Sequence, residues 1–136
     1  HKWETLSTNI RLIKDMAIPN LNLMINHVVQ TPSYHSIIPM IKYFDNLKLK
    51  VAPIMLTHPV HFHISSLTKK AKQQFLKDTD DYNGYNKSFM DFVRDRTRKY
   101  IDHKPELAQK VIKHLALFDK VRKNSYKDII PIDNII

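Results

Sequence analysis

The sequence predicts an α/β fold in which two neighbouring parallel strands are followed by a mainly helical C-terminal region. Before residue 78, the spacing of apolar residues changes twice from the period of a helix to the period of a strand, and each time it changes back. The connections between these segments are only a few residues long, which favours right-handed parallel crossovers. The first strand carries apolar residues on both faces, as strands that are covered on both sides do.

Length and composition indicate one globular domain of ordinary size. The chain has 136 residues, of which 43% are hydrophobic and 26% charged, and its single glycine is Gly84. This is the composition of a folding chain rather than of a disordered one. We divide it into residues 1–78, which contain both strands, and residues 79–136, a helical region with an extended tail.

Several absences limit the classes of function. The chain has no cysteine, which excludes disulfides, thiolate zinc sites, thiol nucleophiles and cysteine-ligated clusters. A single glycine excludes the glycine-rich loops that hold phosphates. There is no run of about eighteen apolar residues and no apolar signal-peptide region. We therefore expect no membrane partner and a cytoplasmic location.

The first half begins with an amphipathic helix and a strand. Apolar residues at spacings of three and four predict a helix over residues 3–17 that lies on the core: Trp3, Leu6, Ile10, Ile13 and Ala17. Alternation then predicts a strand over residues 21–29, with Asn26 and Val28 on one face and Ile25 and Val29 on the other.

A second helix and a second strand repeat this order. Ser36 is the expected N-cap of a helix that runs to about Asn46. The strand over residues 49–56 contains Pro53, which cannot donate to a ladder and therefore indicates an edge strand or a bulge. Two parallel strands are too few to stand alone, so the sequence suggests a truncated domain.

Three helices follow the second strand. The first is expected to be capped by Ser65 or Ser66. The second has an apolar stripe from Phe89 to Tyr100 and places its arginines outward. The third begins at Pro105, a residue favoured in the first helical turn.

The net charge of +9 attracts nucleic acid in principle. The lysines, however, are spread over the whole chain together with many isoleucines and asparagines, a pattern typical of a solvated surface. We therefore do not expect a nucleic-acid partner. The alternative is a small basic nucleic-acid-binding module that uses Arg94, Arg96, Arg98, Lys99 and Lys123.

The second strand is followed by three closely spaced histidines, His58, His61 and His63. Three imidazoles can hold a zinc ion, and ligands collect beyond strand ends in barrel enzymes. No carboxylate accompanies them in this segment, so a hydrogen-bonded loop is the favoured interpretation and a histidine metal site the alternative.

Four patches, in order, resemble radical SAM proteins of the twitch and SPASM type. The residues KWETLSTNIRLI at 2–13 resemble the helix after the fourth barrel strand of that family, and NLMINHVVQTPSYHSIIPMIKYFDNLKL resembles its fifth strand with the following loop and helix. IMLTHPVHFHISSLTKKAK resembles the sixth strand and its exit. LFDKVRKNSYKDIIPI resembles the closing segment of twitch-containing members. Lys48 stands where a turn glycine is usual and Thr68 where proline is usual.

The resemblance implies that the chain is the C-terminal portion of a partial (β/α)6 radical SAM barrel. The missing N-terminal half, its expected partner, would hold the CxxxCxxC loop with a [4Fe-4S] cluster and the Gly-Gly-Glu segment that contacts SAM. The parent would cleave S-adenosylmethionine reductively to modify a peptide or small molecule. We expect the chain by itself to be inactive and to hold neither cofactor.

The resemblance also implies a set of cofactor-binding residues. Asn26, Val28 and Gln30 would point into the barrel. The adenine contacts of the family map onto Val28, Gln30, Leu56, Thr57 and His58. It implies no catalytic residue and no metal ligand within the chain.

Overall fold

A computed structural model describes residues 3–123 and 125–136 and shows an α/β fold. The main elements are α1 (Trp3–Asp15), β1 (Met24–Val29), α2 (Ile37–Asn46), β2 (Lys50–Met55), α3 (Lys69–Asp78), α4 (Lys87–Lys99), α5 (Pro105–Arg122) and α6 (Ile132–Ile135). Short 3-10 helices lie at Thr31–Ser36, Val60–Phe62, Ile64–Ser66 and Tyr126–Asp128. In the described parts of the chain, no helix is long and apolar enough to cross a membrane.

The two strands form a parallel sheet, as predicted. Their register runs from Met24 beside Lys50 to Val29 beside Met55. Helix α2 makes the crossover between them. Both strands are shorter than the sequence indicates, because the apolar residues that flank them lie in the connecting loops.

The helices cover only one face of this sheet. Val29 and Val51 belong to the buried core, and β2 packs against helices α2 and α4. On the other face the side chains of Met24, Val28 and Ile54 are 53%, 36% and 48% exposed. The expectation that the first strand is covered on both sides is therefore wrong for the described residues. The alternation of apolar residues is correct, but the layer that would cover the second face is absent from the described part of the chain.

Helix α1 lies on the surface rather than on the core. Of its predicted stripe only Ile10 is buried, while Trp3 and Leu6 are half exposed. The helix is attached through the edge-on contact of Trp3 with Tyr43 of α2, at 5.3 Å between ring centroids. It ends at Asp15, short of the predicted boundary, since Ala17 already has a positive φ of 46°.

The start of α3 differs from the prediction. Its N-cap is Thr68, whose Oγ1 accepts a hydrogen bond from the backbone amide of Ala71 at 3.2 Å. Ser65 and Ser66 are buried in the preceding 3-10 helix and bond to His63. Those serines satisfy local polar groups, so the α-helix begins later than their position suggests. Ser36 does occupy the N-cap of α2, although its hydroxyl donates to the carbonyl of Ser33.

The C-terminal region is helical, and α5 begins at Pro105 as predicted. In α4, Phe89 and Val93 are buried as expected. Arg94, expected to point outward, is instead only 13% exposed in its side chain and donates to the carboxylate of Asp80 at 2.6 Å. The loop before α4 folds back over this arginine, a contact that helical spacing alone does not reveal.

Candidate functional site

The carboxyl ends of the two strands form one edge of the molecule because the strands are parallel. The backbone amide of Leu56 donates to the carbonyl of Val29 at 3.2 Å, which continues the ladder beyond β2. Gln30 follows Val29, so the loops after both strands leave the sheet side by side. In open parallel sheets, ligands bind at this edge.

The structure brings the six predicted site residues to this edge and to the uncovered face. Asn26 and Val28 lie on the uncovered face, paired in register with Ala52 and Ile54. Thr57 is exposed beyond the end of β2. The remaining residues of the set lie next to them in the chain: Gln30, Leu56 and His58. The result is a partly apolar surface with amide, hydroxyl and imidazole groups at one end.

A buried polar cluster holds the two loops together beneath this edge. Thr31 Oγ1 donates to the carbonyl of His63 at 2.9 Å and lies 2.7 Å from the hydroxyl of Ser66. All three residues are buried, with Thr31 and Ser66 at 0% exposure. Satisfied polar groups in a buried network fix geometry, so the loop after β1 and the loop after β2 behave as one unit. Sequence reasoning missed Thr31, whose only signal is its position just after a strand.

The three histidines of the predicted metal alternative lie in three different environments. His58 is exposed, and His63 is buried with its Nδ1 3.0 Å from the hydroxyl of Ser65. His61 Nε2 lies 3.0 Å from Nδ1 of His114 on α5, 53 positions away in sequence. Burial, and then the charges of nearby lysines, lower the pKa of His63. No group of three His, Cys, Asp or Glu side chains among the described residues is placed to hold a metal ion.

The family resemblance implies two cofactors, an iron–sulfur cluster and SAM. With no cysteine in its sequence, the chain supplies no thiolate ligand for an iron–sulfur cluster. The adenine of SAM needs an apolar surface and a few polar partners. Val28 and Leu56 offer the first, and the side chains of Asn26, Gln30 and Thr57 the second. These side chains therefore place apolar carbon beside amide and hydroxyl groups at this edge.

Comparisons of the chain with protein-family models, with curated proteins and with solved structures found no match.

Proposed function

We propose that this chain is the C-terminal portion of a radical SAM barrel and supplies the adenine side of the SAM pocket in a larger enzyme. The observation that carries the proposal is the parallel strand pair with helices on one face and an exposed, partly apolar surface on the other. A segment cut from a (β/α) barrel has this form, because its helices lie outside and its inner face loses the opposite strands.

The two outer edges of the sheet support the same arrangement. The outer edge of β2 is closed by the side chain of Asn86, which accepts from the amide of Val51. The outer edge of β1 has no strand partner in the described residues. Unpaired strand edges readily add another strand. The missing strands would therefore join on the β1 side, where helix α1 precedes β1 as a crossover helix does.

Within such an enzyme, this chain would bind and orient SAM rather than react with it. SAM, when held by a cluster, supplies one-electron chemistry that activates a C–H bond of the substrate. The exposed surface of Val28 and Leu56 would contact one face of the adenine, and Gln30 and Thr57 would fix its orientation. The substrate would be a peptide or a small molecule.

The test uses the chain alone and the chain extended by the residues encoded upstream of His1. We expect the upstream residues to contain CxxxCxxC, and the extended protein, after anaerobic cluster reconstitution, to bind SAM in calorimetry and release 5′-deoxyadenosine. Val28→Asp should weaken SAM binding by about tenfold or more, because it places a carboxylate against the adenine. Ile112→Asp, at a similarly exposed position on α5, is the matched control and should leave SAM binding unchanged.

Two results would overturn the proposal. One is an upstream sequence without a cluster motif. The other is micromolar SAM affinity in the chain alone, since a partial pocket offers too few contacts to offset the loss of translational freedom. Tight, salt-sensitive nucleic-acid binding would instead favour the basic-module alternative.

A further inference from the structure

A cavity of about 430 Å³ lies between helical segments of the molecule. Its walls come from the 3-10 helix after β1, from helices α2 and α3, and from the C-terminal helix α6. None of the six residues assigned to the strand-end site lines it. Its volume lies in the range of cavities that hold small organic ligands.

Aromatic and aliphatic groups form the floor of the cavity. The rings of Tyr34 and Phe75 pack at 4.8 Å between centroids, and both residues are buried. The hydroxyl of Tyr34 is already paired with Thr97 Oγ1 at 2.8 Å. Since that polar group is occupied, the floor offers a ligand ring surface and aliphatic carbon rather than hydrogen bonds.

The C-terminal tail closes one side. The backbone amide of Thr68 donates to the carbonyl of Ile135 at 2.9 Å, which fastens the tail to the start of α3. The side chains of Ile132 and Ile135 are buried in the core. The wall is therefore part of the packed fold, and the cavity is formed before any ligand enters.

The rim of the cavity is acidic, although the chain as a whole carries +9. Its charged groups are the carboxylates of Asp78 and Asp133 and the ammonium of Lys70. Burial lowers the pKa of His35, another titratable rim residue, which favours its neutral form. Among the described residues neither Asp133 nor Lys70 takes part in an ion pair. Asp78 Oδ1 accepts a hydrogen bond from the side-chain Nε2 of Gln74 at 2.6 Å, which leaves the second carboxylate oxygen of Asp78 available.

We propose that this cavity binds a small organic amine, with an aromatic or apolar body on the Tyr34–Phe75 floor and a protonated amino group at the acidic rim. Aromatic rings favour a nearby cation as well as an apolar body. The rim carries two carboxylates and the one ammonium group of Lys70, so its net charge is negative. It therefore favours a cationic ligand over an anionic ligand of the same shape. The ligand class is thus set by the floor and the rim together.

The test is an NMR titration with tryptamine and with indole-3-acetate, which share one ring system and carry opposite charges. Tryptamine should shift the amide resonances of residues 34–38, 68–78 and 132–136, with a dissociation constant on the order of 1 mM. Indole-3-acetate should bind roughly three- to tenfold more weakly, a modest factor because the rim charges are exposed. The double change Asp78→Asn with Asp133→Asn should remove this preference while leaving the fold intact. Asp81→Asn, an exposed carboxylate outside the lining, is the control and should not alter it.

A substitution that fills the cavity distinguishes binding inside it from attraction of the ligand to the charged protein surface. Ala71→Met places a larger side chain in the cavity and should weaken both ligands at least threefold. The proposal is wrong if tryptamine causes no shifts at about 10 mM, if indole-3-acetate binds equally well, or if Ala71→Met has no effect.

Discussion

The backbone amide of Val51 in β2 donates a hydrogen bond to the side-chain Oδ1 of Asn86, 35 positions away, at 2.7 Å. The same side chain donates through Nδ2 to the carbonyl of Leu49 at 3.0 Å. Leu56, in contrast, donates to β1. The odd-numbered residues of β2, which include Pro53, therefore direct their backbone N and C=O groups away from β1. The missing amide hydrogen of Pro53 removes no bond to β1, which confirms the edge position that this proline indicated.

Replacing Asn86 should be strongly destabilising. Asn86→Ala removes the bonds to Val51 and Leu49 as well as the bond from Nδ2 to Asp45 Oδ1 at 2.8 Å. Buried backbone groups left without partners cost about 1–3 kcal/mol each, so we expect a loss of roughly 2–4 kcal/mol in the free energy of unfolding. Urea denaturation measures it. Asn83→Ala, at an exposed position in the same loop, should change the stability by less than about 0.5 kcal/mol.

Because helices cover only one face of the sheet, we expect threonine substitutions at two adjacent valines to differ in their effect on stability. Val29→Thr places a hydroxyl in the core, where Val29 is 0% exposed, and should cost about 1–3 kcal/mol. Val28→Thr lies on the uncovered face and should change the free energy of unfolding by no more than about 0.5 kcal/mol, since threonine suits a strand as well as valine does. Equal losses for the two variants in denaturant titrations would contradict the uncovered face.

Because Lys72 is buried, we expect the protein to become more stable at alkaline pH. The residue is fully buried, and its Nζ donates to the carbonyl of Asp102 at 2.9 Å. Burial lowers the pKa of Lys72 to about 8, against 10.5 in the unfolded chain. Between these values the unfolded state binds more protons at Lys72, so the free energy of unfolding should increase from pH 8 towards pH 10 by about 2 kcal/mol. Above about pH 10 the raised pKa values of Tyr34 and Tyr82 act in the opposite direction.

The lysine contribution is isolated by comparing variants. Lys72→Met should flatten the rise between pH 8 and pH 10, measured by urea denaturation at each pH. Lys70→Met, an exposed lysine on the same helix, should keep the wild-type profile. A wild-type stability that falls over this window, or a rise that survives in Lys72→Met, would show that Lys72 does not titrate in this way.

Because His63 is buried, we expect the protein to lose stability in mild acid. Burial lowers the pKa of His63 below its ordinary value of 6.5, and Nδ1 accepts a hydrogen bond from the amide of Ser65 at 3.2 Å. As the pH falls below 6.5 the unfolded state takes up protons first, so the free energy of unfolding should decrease. His63→Asn keeps an acceptor near Nδ1 but cannot be protonated, and its stability should depend less on pH between about 6.5 and 5. His58→Asn, at an exposed position, should leave the pH dependence as in the wild type.

Local pattern was sufficient for the elements and for the direction of the strands. Alternation and helical spacing act between near neighbours, so they identified β1 and β2, the start of α5 at Pro105 and the parallel crossover through α2. Parallel strands also bring their carboxyl ends together. For this reason Gln30 and Leu56, taken from a family resemblance, fall on the same edge.

Contacts between distant segments were decided only by the tertiary structure. The pairing of Asn86 with Val51 and that of His61 with His114 join residues 35 and 53 positions apart. A residue's neighbours in the chain do not specify such partners, because they depend on how whole helices pack. The sequence likewise predicted a buried apolar stripe on α1 and a β1 strand covered on both faces, whereas only Ile10 of that stripe is buried and one face of β1 is exposed. Burial depends on a second layer being present, and the described part of this chain covers only one face of its sheet.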